Sequence, residues 1–297
     1  MLIGNREIAD SLIGQLIKDI KQKKELNNLA DSFIQDKIKK YLSQNPAKIT
    51  FLHQQFSPKS AKYKQIIKEV RKELRQVTGL FKIQTQISER KKYWEELQKT
   101  LPSSKRFLAL HQAILQTHAS SKERLDFYES LYQKIFKITG QPQSILDLGC
   151  GLNPISIIYT KLKKVKYYAY DIDQEEINLI NSYFQYLKTV WPGFSGEAKI
   201  LNLLVEEKLN QLPEADICFL WKMTEMLDRG NSHKKSEKII TGSPAKYIVV
   251  SFPTITMSGK PMNQPRRKWI ELMCQRLRYS YEIIIERNEL FYVIKKE

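Results

Sequence analysis

Two different hydrophobic periods divide the chain. Through the first hundred residues apolar side chains recur at spacings of three and four, as in REIADSLIGQLIKDIKQ, LADSFIQDKIKKYLSQ and KYKQIIKEVRKELRQV. This spacing predicts amphipathic helices with lysine-rich outer faces. Prolines in QNPAKI and FSPKS interrupt the pattern between helices. We therefore predict a small all-α domain of four or five helices over residues 1–105.

From residue 107 onwards apolar strands alternate with helical patterns. The strands are SILDLG, KYYAYDI, AKILNLL, ADICFLW and KYIVVSF, and helices are expected near 174–188 and after 222. Alternation of this kind is typical of a parallel sheet with helices on both faces. The final strands, YEIIIE and LFYVIKK, are separated only by RNE, which is too short for a crossover helix. They predict an antiparallel hairpin, and the layout resembles the Rossmann-like α/β fold of class I methyltransferases over residues 106–297.

One long helix is expected ahead of this sheet, in HASSKERLDFYESLYQKIFKITG. Ser120 and Glu123 have the spacing of a capping box, in which each side chain bonds an amide at the start of a helix. Gly140 is placed to end the same helix. We therefore predict one continuous helix from Ser120 to Gly140.

The charge adds a prediction about partners. The chain has 49 Lys and Arg against 32 Asp and Glu, a net charge of +17. Residues 1–105 hold 22 of the basic and 11 of the acidic residues, a net of +11. A field of this sign attracts polyanions, of which nucleic acid is the usual one and an anionic membrane surface is less common. The helical domain is thus predicted to contact RNA; a solvated helical cap without a contact role is the alternative.

Location and metal binding follow from what the sequence lacks. No apolar run approaches the length of a membrane span, and the acid-containing amphipathic start does not resemble a secretory signal. Cys150, Cys218 and Cys274 lie far apart with no CxxC pair, which argues against a zinc site or a disulfide framework. We expect a cytoplasmic monomer without a metal and without a membrane partner.

A tight turn follows the first strand of the α/β region, in SILDLGCGLNP. Asp147, Gly149 and Gly151 form a D-x-G-x-G pattern, in which glycine lets the backbone approach a ligand closely. A carboxylate beside a short glycine turn suits a nucleoside with an amino-acid tail better than a pyrophosphate. Asp171 ends the next strand, 20 residues after Gly151, where an acid accepts hydrogen bonds from ribose hydroxyls. Together these elements resemble the S-adenosylmethionine site of class I methyltransferases.

Four stretches in order narrow the resemblance: HASSKERL, LDLGCGLNP, YAYDID and VVSFPT. They resemble the aminoglycoside-resistance 16S rRNA guanine-N7 methyltransferases, the Arm group. This resemblance implies methyl transfer from S-adenosylmethionine to guanine N7 in the decoding region of 16S rRNA, within the assembled 30S subunit. The residues leave open whether the modification confers aminoglycoside resistance or serves ribosome maturation.

The resemblance and the chemistry of the side chains together suggest a cofactor set. Arg124 is expected to clamp the methionine carboxylate bidentately, although the family usually has an arginine where this chain has Lys122. In KILNLL the family usually has an acid before the leucine, and the amide oxygen of Asn202 can accept the same adenine bond. The predicted cofactor-binding residues are Arg124, Asp147, Gly149, Gly151, Asp171, Ile172, Asn202 and Leu203, whereas Asp173 is expected to cap a helix.

Two further groups of residues are predicted to act on the RNA. The resemblance maps Lys222 and Asp228, in FLWKMTEMLD, onto family positions needed for activity. Guanine N7 carries no proton, so no general base is required and the rate has to come from alignment. The RNA-facing residues are expected in the loop after KYIVVSF: Ser258, Lys260, Arg266, Arg267, Lys268 and Trp269. Trp269 has two readings, stacking on a base or packing in the core.

Alternative functions remain compatible with these patterns. The same cofactor could serve a methyltransferase for another rRNA or tRNA base. A catalytically silent ribosome-assembly factor would keep the cofactor pocket and the basic helices without turnover. A small-molecule methyltransferase is the least favoured, because it has no use for a basic helical domain.

Overall fold

The computed structural model of the protein describes residues 1–3, 6–54, 57–78, 87–228, 232–256 and 259–296. Within it the chain forms two compact units. The first comprises Met1–Lys82 together with Ile172–Glu175, and the second comprises Ile83–Asp171 together with Glu176–Glu297. These units differ in extent from the domains expected from the sequence, because the first ends at Lys82 and not at residue 105 and also includes Ile172–Glu175.

The first unit is helical, as its hydrophobic period predicts. A short strand pair, β1 and β2, is followed by four helices and one 3₁₀ turn: β1 (Leu2–Ile3), β2 (Arg6–Glu7), α1 (Asp10–Lys21), the turn Lys24–Leu26, α2 (Asp31–Ser43), α3 (Pro46–Gln54) and α4 (Ala61–Thr78). Buried positions recur three and four residues apart, such as Ile13, Leu16 and Ile20 on α1 and Ile66 and Val70 on α4. The amphipathic helices are confirmed, with the apolar stripe of each turned inward.

A distant piece of chain completes this helical unit. The amide of Ala30 donates to the carbonyl of Ile172 at 3.0 Å, and the amide of Gln174 donates to the carbonyl of Asn28 at 2.8 Å. Leu29 and Asp173 form an antiparallel bridge between these two bonds. The segment Ile172–Glu175 is therefore held by residues 28–30 in the manner of a short strand.

The second unit begins with two helices that the sequence assigned to the helical domain or its border. They are α5 (Ile87–Leu97) and α6 (Lys105–Gln116). Trp94, Leu97 and Leu110 lie in the same buried cluster as Ile145 and Phe219 of the sheet. The boundary therefore falls before α5, because the apolar faces of both helices pack with the α/β unit.

The prediction of one continuous helix from Ser120 was wrong. The chain forms α7 (Ala119–Arg124) and then α8 (Tyr128–Thr139), and Phe127 between them has a φ of −133°. His118 precedes α7 without a side-chain capping bond, so Ser120 lies inside the first turn instead of capping it. Gly140, with a φ of 78°, ends α8 as predicted.

The sheet of the second unit has seven strands, in the order β5-β4-β3-β6-β7-β9-β8. Their bounds are β3 (Ser144–Leu148), β4 (Val165–Asp171), β5 (Phe194–Ile200), β6 (Ala215–Trp221), β7 (Ala245–Pro253), β8 (Ser280–Glu286) and β9 (Glu289–Lys295). Strands β3 to β7 are parallel, and β9 pairs antiparallel with both β7 and β8. The predicted parallel sheet with a terminal hairpin is confirmed.

Helices cover both faces of this sheet. After β3 come a 3₁₀ helix and five α-helices: Asn153–Thr160, α9 (Gln174–Val190), α10 (Glu206–Leu209), α11 (Thr224–Leu227), α12 (Lys234–Gly242) and α13 (Lys268–Leu277). Side chains of alternating strand positions enter two separate buried clusters, with Ile145 in one and Leu146 in the other. Of the helices in the described ranges, none has the length and hydropathy needed to cross a bilayer.

The strand order reverses between β3 and β6, which places a crevice at their carboxyl ends. From β3 the chain moves outward through β4 and β5, and it then returns to the other side of β3 for β6 and β7. In open α/β sheets ligands bind outside the carboxyl ends of the strands at such a reversal. The D-x-G-x-G turn leaves the sheet at this point.

At the opposite end of these two strands, one carboxylate fastens β3 to β6. Asp216 Oδ2 accepts hydrogen bonds from the amides of Gln143 and Ser144, at 2.7 and 2.9 Å, and from the Ser144 hydroxyl at 3.0 Å. The amide of Asp216 donates back to Ser144 Oγ at 2.9 Å. The central pair of strands is thus aligned from its amino end by four bonds on two side chains.

We predict that Asp216→Ala lowers the free energy of unfolding by about 1–3 kcal/mol, because partly buried donors lose their acceptor. Denaturant unfolding followed by circular dichroism measures this change. Asp126→Ala is the matched control, since Asp126 forms an exposed pair with Arg287 and exposed pairs contribute less than about 1 kcal/mol. Equal losses in the two variants contradict the assignment of Asp216 as a strand fastener.

Candidate functional site

The turn after β3 has glycine at two places where the backbone is left-handed and other side chains come close. Gly149 has a φ of 71° and Gly151 a φ of 48°, in the left-handed region that L side chains rarely adopt. A Cβ at Gly149 would lie 2.3 Å from Met223 Sδ, and one at Gly151 would lie 3.0 Å from His118 Nε2. The first motif of the sequence, HASSKERL, and the loop after β6 therefore close over the turn from two sides.

Backbone hydrogen bonds join this turn to the end of β4. The amides of Gly149 and Cys150 both donate to the carbonyl of Tyr170, at 2.8 and 3.0 Å. The amide of Gly151 donates to Asp171 Oδ2 at 2.9 Å. Asp171, the predicted ribose acid, is thereby held against the glycine turn and keeps part of its surface exposed. The two features that the sequence placed 20 residues apart are in direct contact.

Asp147 lies under the turn in a polar pocket of its own. It is 2% exposed, and its Oδ2 accepts the Tyr167 hydroxyl at 2.6 Å and the Asn153 amide at 2.8 Å. Burial raises the pKa of Asp147 to about 6, against the two hydrogen bonds, which lower it. Its charge therefore changes in the mildly acidic range, and a nearby cation favours the ionised form.

Arg124, the predicted carboxylate clamp, is engaged by another residue of the chain. Its Nε and Nη2 donate to the two carboxylate oxygens of Glu289, at 2.9 and 2.7 Å. Glu289 is fully buried and Arg124 is 2% exposed, and the guanidinium lies 4.8 Å from the ring centre of Trp221. This fork-to-fork pair joins the end of α7 to the first residue of β9. The exposed Lys122 is the other basic residue of the same motif.

Lys222, the first predicted catalytic residue, is tied to the same pair. Its backbone has a φ of 54°, and its amide donates to Ser251 Oγ at 3.0 Å. Its amine contacts the Glu123 carboxylate and lies 3.7 Å from Glu289 Oε2. A non-glycine residue in the left-handed region costs roughly 1 kcal/mol or more, and such residues cluster at functional sites. The amine of Lys222 is thus fixed at the carboxyl edge of β6 between two carboxylates.

Asp228, the second predicted catalytic residue, supports a helix. It is 8% exposed, and its two carboxylate oxygens accept the amides of Lys235 and Ser236, at 3.0 and 2.9 Å. Those amides belong to the first turn of α12, whose amino end favours a negative charge. The Asp228 carboxylate is therefore placed to hold the first turn of α12.

The remaining predicted cofactor residues follow the ends of β4 and β5. Asn202 Oδ1 accepts the amide of Leu204 at 3.1 Å, and Leu203 is buried in the second core cluster. Ile172 belongs to the helical unit, where its carbonyl accepts the amide of Ala30. Asp173 Oδ1 accepts the amide of Glu175 at 3.0 Å, which is the expected helix cap.

The loop after β7 separates the predicted RNA residues into two kinds. Lys260 and Arg266 are exposed, and Arg266 pairs with Glu271 at 2.7 Å. Arg267 instead holds the loop together, because its guanidinium donates to the carbonyls of Pro265 and Pro253, at 2.8 and 3.1 Å.

Trp269 and Ser258 complete the set of residues predicted to face the RNA. Trp269 is half-buried on α13 and packs against the second core cluster, while Ser258 lies outside the described residues. No group of three or more His, Cys, Asp or Glu side chains suited to a metal ion occurs within the described part of the chain.

Sequence reasoning missed the two acids of this site. Glu289 opens the strand ELFYVIK, and Glu123 was predicted only as part of a capping box. In a sequence, a glutamate just before an apolar strand gives little indication that its carboxylate is buried and pairs with a cation. Pairing of β9 with β7, with Glu289 opposite Pro253, brings it to the site edge.

Comparison with known proteins assigns the chain to a family. The model of the family described as "Ribosomal RNA methyltransferase (FmrO)" matches residues 37–293. The chain belongs to the FmrO family of ribosomal RNA methyltransferases. The match covers all the site residues described above, from Glu123 to Glu289, and it extends into the helical unit.

Curated relatives carry one activity in their names. A 16S rRNA (guanine(1405)-N(7))-methyltransferase of Proteus mirabilis is 28% identical over 247 residues, covering 78% of this chain and 85% of the relative. A protein with the same name from Micromonospora echinospora is 31% identical over 192 residues, covering 63% and 66% of the two chains.

Solved structures show the same fold as this FmrO-family chain. The 16S rRNA methyltransferase RmtF, solved in complex with S-adenosyl-L-homocysteine, has a TM-score of 0.71 at 20% identity, covering 98% of this chain and 100% of that one. An rRNA methylase from Escherichia coli has a TM-score of 0.64 at 19% identity, covering 96% and 100%. At such identities the likeness concerns the fold.

We predict that Glu289→Gln lowers the free energy of unfolding by about 3–5 kcal/mol, because it leaves the buried guanidinium of Arg124 without its counter-charge. Denaturant titration measures the change. In the double variant Arg124→Met with Glu289→Leu, both charges are absent and we expect much of the loss to be recovered.

Glu197→Gln provides a control for this pair, because Glu197 forms an exposed ion pair with Lys199, and we expect a change below about 1 kcal/mol. Additive losses in the Arg124 and Glu289 single and double variants contradict the coupling.

Proposed function

We propose that this protein transfers a methyl group from S-adenosylmethionine to N7 of a guanine in 16S rRNA, the reaction for which its curated relatives are named. The observation that carries the proposal is the family match over residues 37–293. The glycine turn, with Asp147 and Asp171 beside it, provides groups suited to binding S-adenosylmethionine. The equivalent of guanine 1405, which the relatives' names give, is the proposed target.

The task of this chain in the reaction is to position the guanine against the methyl group. S-adenosylmethionine supplies an electrophilic methyl group on a sulfonium. Guanine N7 carries a free lone pair and no proton, so no side chain has to act as a general base. The protein has to hold that lone pair in line with the methyl group and exclude water, which is catalysis by proximity and orientation.

The residues at the turn fit such a donor. Asp147 is a carboxylate whose pKa is raised because burial destabilises its charged form. A cation beside it, such as the amino group of the methionine part, would stabilise that charged form. Asp171, partly exposed beside Gly151, is proposed to accept the ribose hydroxyls. Ile172, Asn202 and Leu203, with the backbone of Gly149 and Gly151, are proposed to complete the nucleoside side.

Arg124 and Lys122, the arginine and lysine of the motif HASSKERL, are proposed to have different roles. Two of the three guanidinium nitrogens of Arg124 donate to Glu289, so we propose that Arg124 supports the edge of the site. Lys122 lies exposed two residues earlier on the same helix. It is therefore the cation that we propose for the methionine carboxylate.

Lys222 and Asp228 are assigned to the RNA side. The amine of Lys222, between Glu123 and Glu289, is proposed to contact the target nucleotide or its phosphate. The carboxylates of Glu123 and Glu289 balance the positive charge of the Lys222 amine. This balance matters because methylation at N7 gives the purine a positive charge, which an unpaired amine would repel. Asp228 is proposed as a positioning residue, acting through the first turn of α12.

The helical unit is proposed to dock on the ribosomal RNA. Residues 1–82 hold 17 Lys and Arg against 8 Asp and Glu, a net of +9. Phosphate contacts from basic side chains supply most nonspecific affinity, and a folded RNA surface is recognised by shape and phosphates. We propose that a cytoplasmic monomer binds the assembled 30S subunit and receives a guanine drawn from its stack.

Labelled S-adenosylmethionine and unmodified 30S subunits test the function directly. We expect incorporation into 16S rRNA and a single borohydride–aniline cleavage in the decoding region. Asp171→Ala should lose incorporation at limiting cofactor, whereas Asp126→Ala should keep it. Label at a different base or in tRNA contradicts the guanine-N7 assignment. If the protein binds the cofactor and the 30S subunit but transfers no labelled methyl group, the result contradicts the proposed activity and favours an assembly factor.

The pKa of Asp147 yields a pH dependence for cofactor binding. If the ionised carboxylate holds the amino group, affinity is fully present above pH 6 and falls as pH drops through about 6, approaching tenfold per unit. Calorimetric titration with S-adenosylhomocysteine between pH 5 and 8 measures it. Asp147→Asn should bind weakly with a flat profile, while Asp171→Asn should bind weakly and keep the slope. A flat profile in the unmodified protein contradicts the role.

A further inference from the structure

Two segments more than 30 residues apart bring two aromatic rings into a parallel stack. His233 precedes α12 and Trp269 is the second residue of α13. Their ring centres lie 4.5 Å apart and their planes differ by 8°. Both residues are partly exposed. We name this pair the ring stack.

The ring stack is held firmly from below. Trp269 meets Phe252 of β7 edge to face, with ring centres 6.1 Å apart and planes at 81°. The Arg267 guanidinium lies 5.0 Å from the ring centre of Phe252. The indole is therefore fixed on the sheet, and the imidazole covers one of its faces.

The imidazole is positioned at some backbone cost. His233 has a φ of 48°, a conformation that is uncommon for a residue other than glycine. The carboxylate of Asp228 holds the amides of Lys235 and Ser236, two and three residues later. The residue that the family resemblance linked to activity thus fixes the helix turn that carries His233. Strain kept in place by a buried carboxylate points to a function for the ring.

Cations surround the ring stack on both segments. Lys234 and Lys235 follow His233, and Lys268 precedes Trp269; all three are exposed. Among the residues that the structure describes, none of these three lysines has an ion-pair partner. Glutamates nearby are already used, since Glu237 pairs with Arg276 and Glu271 with Arg266. The ammonium groups of the three lysines are thus exposed and not neutralised by a direct ion pair within the described residues, and the Asp228 carboxylate is buried against the first turn of α12.

The stack lies at the functional edge of the sheet. α12 follows β6 and α13 follows β7, and both strands run parallel to β3, where the glycine turn begins. Strand β7 is two strands from β3, which corresponds to roughly 10 Å. The ring stack therefore flanks the end of β3, where the methyl donor is proposed to lie.

We propose that the ring stack, His233 with Trp269, binds a nucleobase next to the target guanine, while Lys234, Lys235 and Lys268 contact the flanking phosphates. Single-stranded nucleic acids are commonly bound by aromatic rings that stack on bases together with positively charged side chains along the backbone. An acidic protein segment would meet the cations but has no need of a parallel ring pair. This inference rests on the proposed function and names a contact of the same site.

Ring-preserving and ring-removing variants test the stacking. Asn tolerates the left-handed backbone, so His233→Asn removes the ring and keeps the turn. We expect it to raise KM for 30S subunits about 5- to 50-fold while the affinity for S-adenosylhomocysteine is unchanged. Trp269→Phe should stay within about threefold of the unmodified protein, and Trp269→Leu should behave like His233→Asn. Unchanged KM in both ring-removing variants overturns the proposal.

The lysines are tested through salt dependence. Lys234→Gln with Lys235→Gln should reduce the slope of log affinity against log salt for 30S binding by roughly 1.4, at about 0.7 per contact on single-stranded RNA. Lys163→Gln with Lys164→Gln is the matched control, because this pair precedes β4 at the amino edge of the sheet and removes the same charge. Equal slopes in the two double variants overturn the phosphate contacts.

The nature of the partner is read from a photo-cross-linking residue introduced in place of Lys234. We expect an adduct with 16S rRNA near the methylated guanine, and an adduct with ribosomal protein alone overturns the proposal. The unmodified protein separates this inference from the proposed function. If it methylates 30S subunits while the variants are unaffected, only the ring stack is refuted; if it fails to methylate any RNA, the proposed function itself is refuted.

Discussion

A carboxylate without any exposure to solvent organises the edge of this sheet. Glu289 accepts hydrogen bonds from Nε and Nη2 of Arg124 and lies 3.7 Å from the amine of Lys222. Removing three charges from water is costly, and only good geometry and complete pairing offset that cost. Helix α7, the end of β6 and the start of β9 must therefore all be in place before any of these groups is satisfied. The precision of the site depends on that mutual requirement.

Much of the fold could be read from the sequence because each element repeats one simple pattern. Apolar runs bounded by turns predicted the strands, and a three-residue gap between YEIIIE and LFYVIKK predicted the antiparallel hairpin. The domain boundary could not be read in the same way. Helix α5 has a charged outer face, as α4 does, and only packing shows that Trp94 and Leu97 join the core of the sheet. The break between α7 and α8 was equally hidden, because a capping-box spacing also occurs within a helix.

The site shows the same division between local and long-range information. Gly149, Gly151 and Asp171 were predictable because a turn and a strand end are local features, and the hydrogen bond from Gly151 to Asp171 confirms that they meet. The pairing of Arg124 with Glu289 spans 165 residues, and the stack of His233 on Trp269 joins the start of α12 to the first turn of α13. Neither has a periodic signature. The left-handed backbone of Lys222 and His233 is likewise set by the surrounding packing, because no glycine marks those positions.

The segment Ile172–Glu175 has a consequence for the order of folding. The helical unit comes first in the chain, yet the amide of Ala30 and the carbonyl of Asn28 find their partners only at Ile172 and Gln174. During synthesis, helices α1 to α4 can collapse early, but these backbone bonds must wait until the chain as far as Gln174 has left the ribosome. A fragment that ends at residue 82 lacks those partners. The amino-terminal helices are therefore completed by a stretch of chain made long after them.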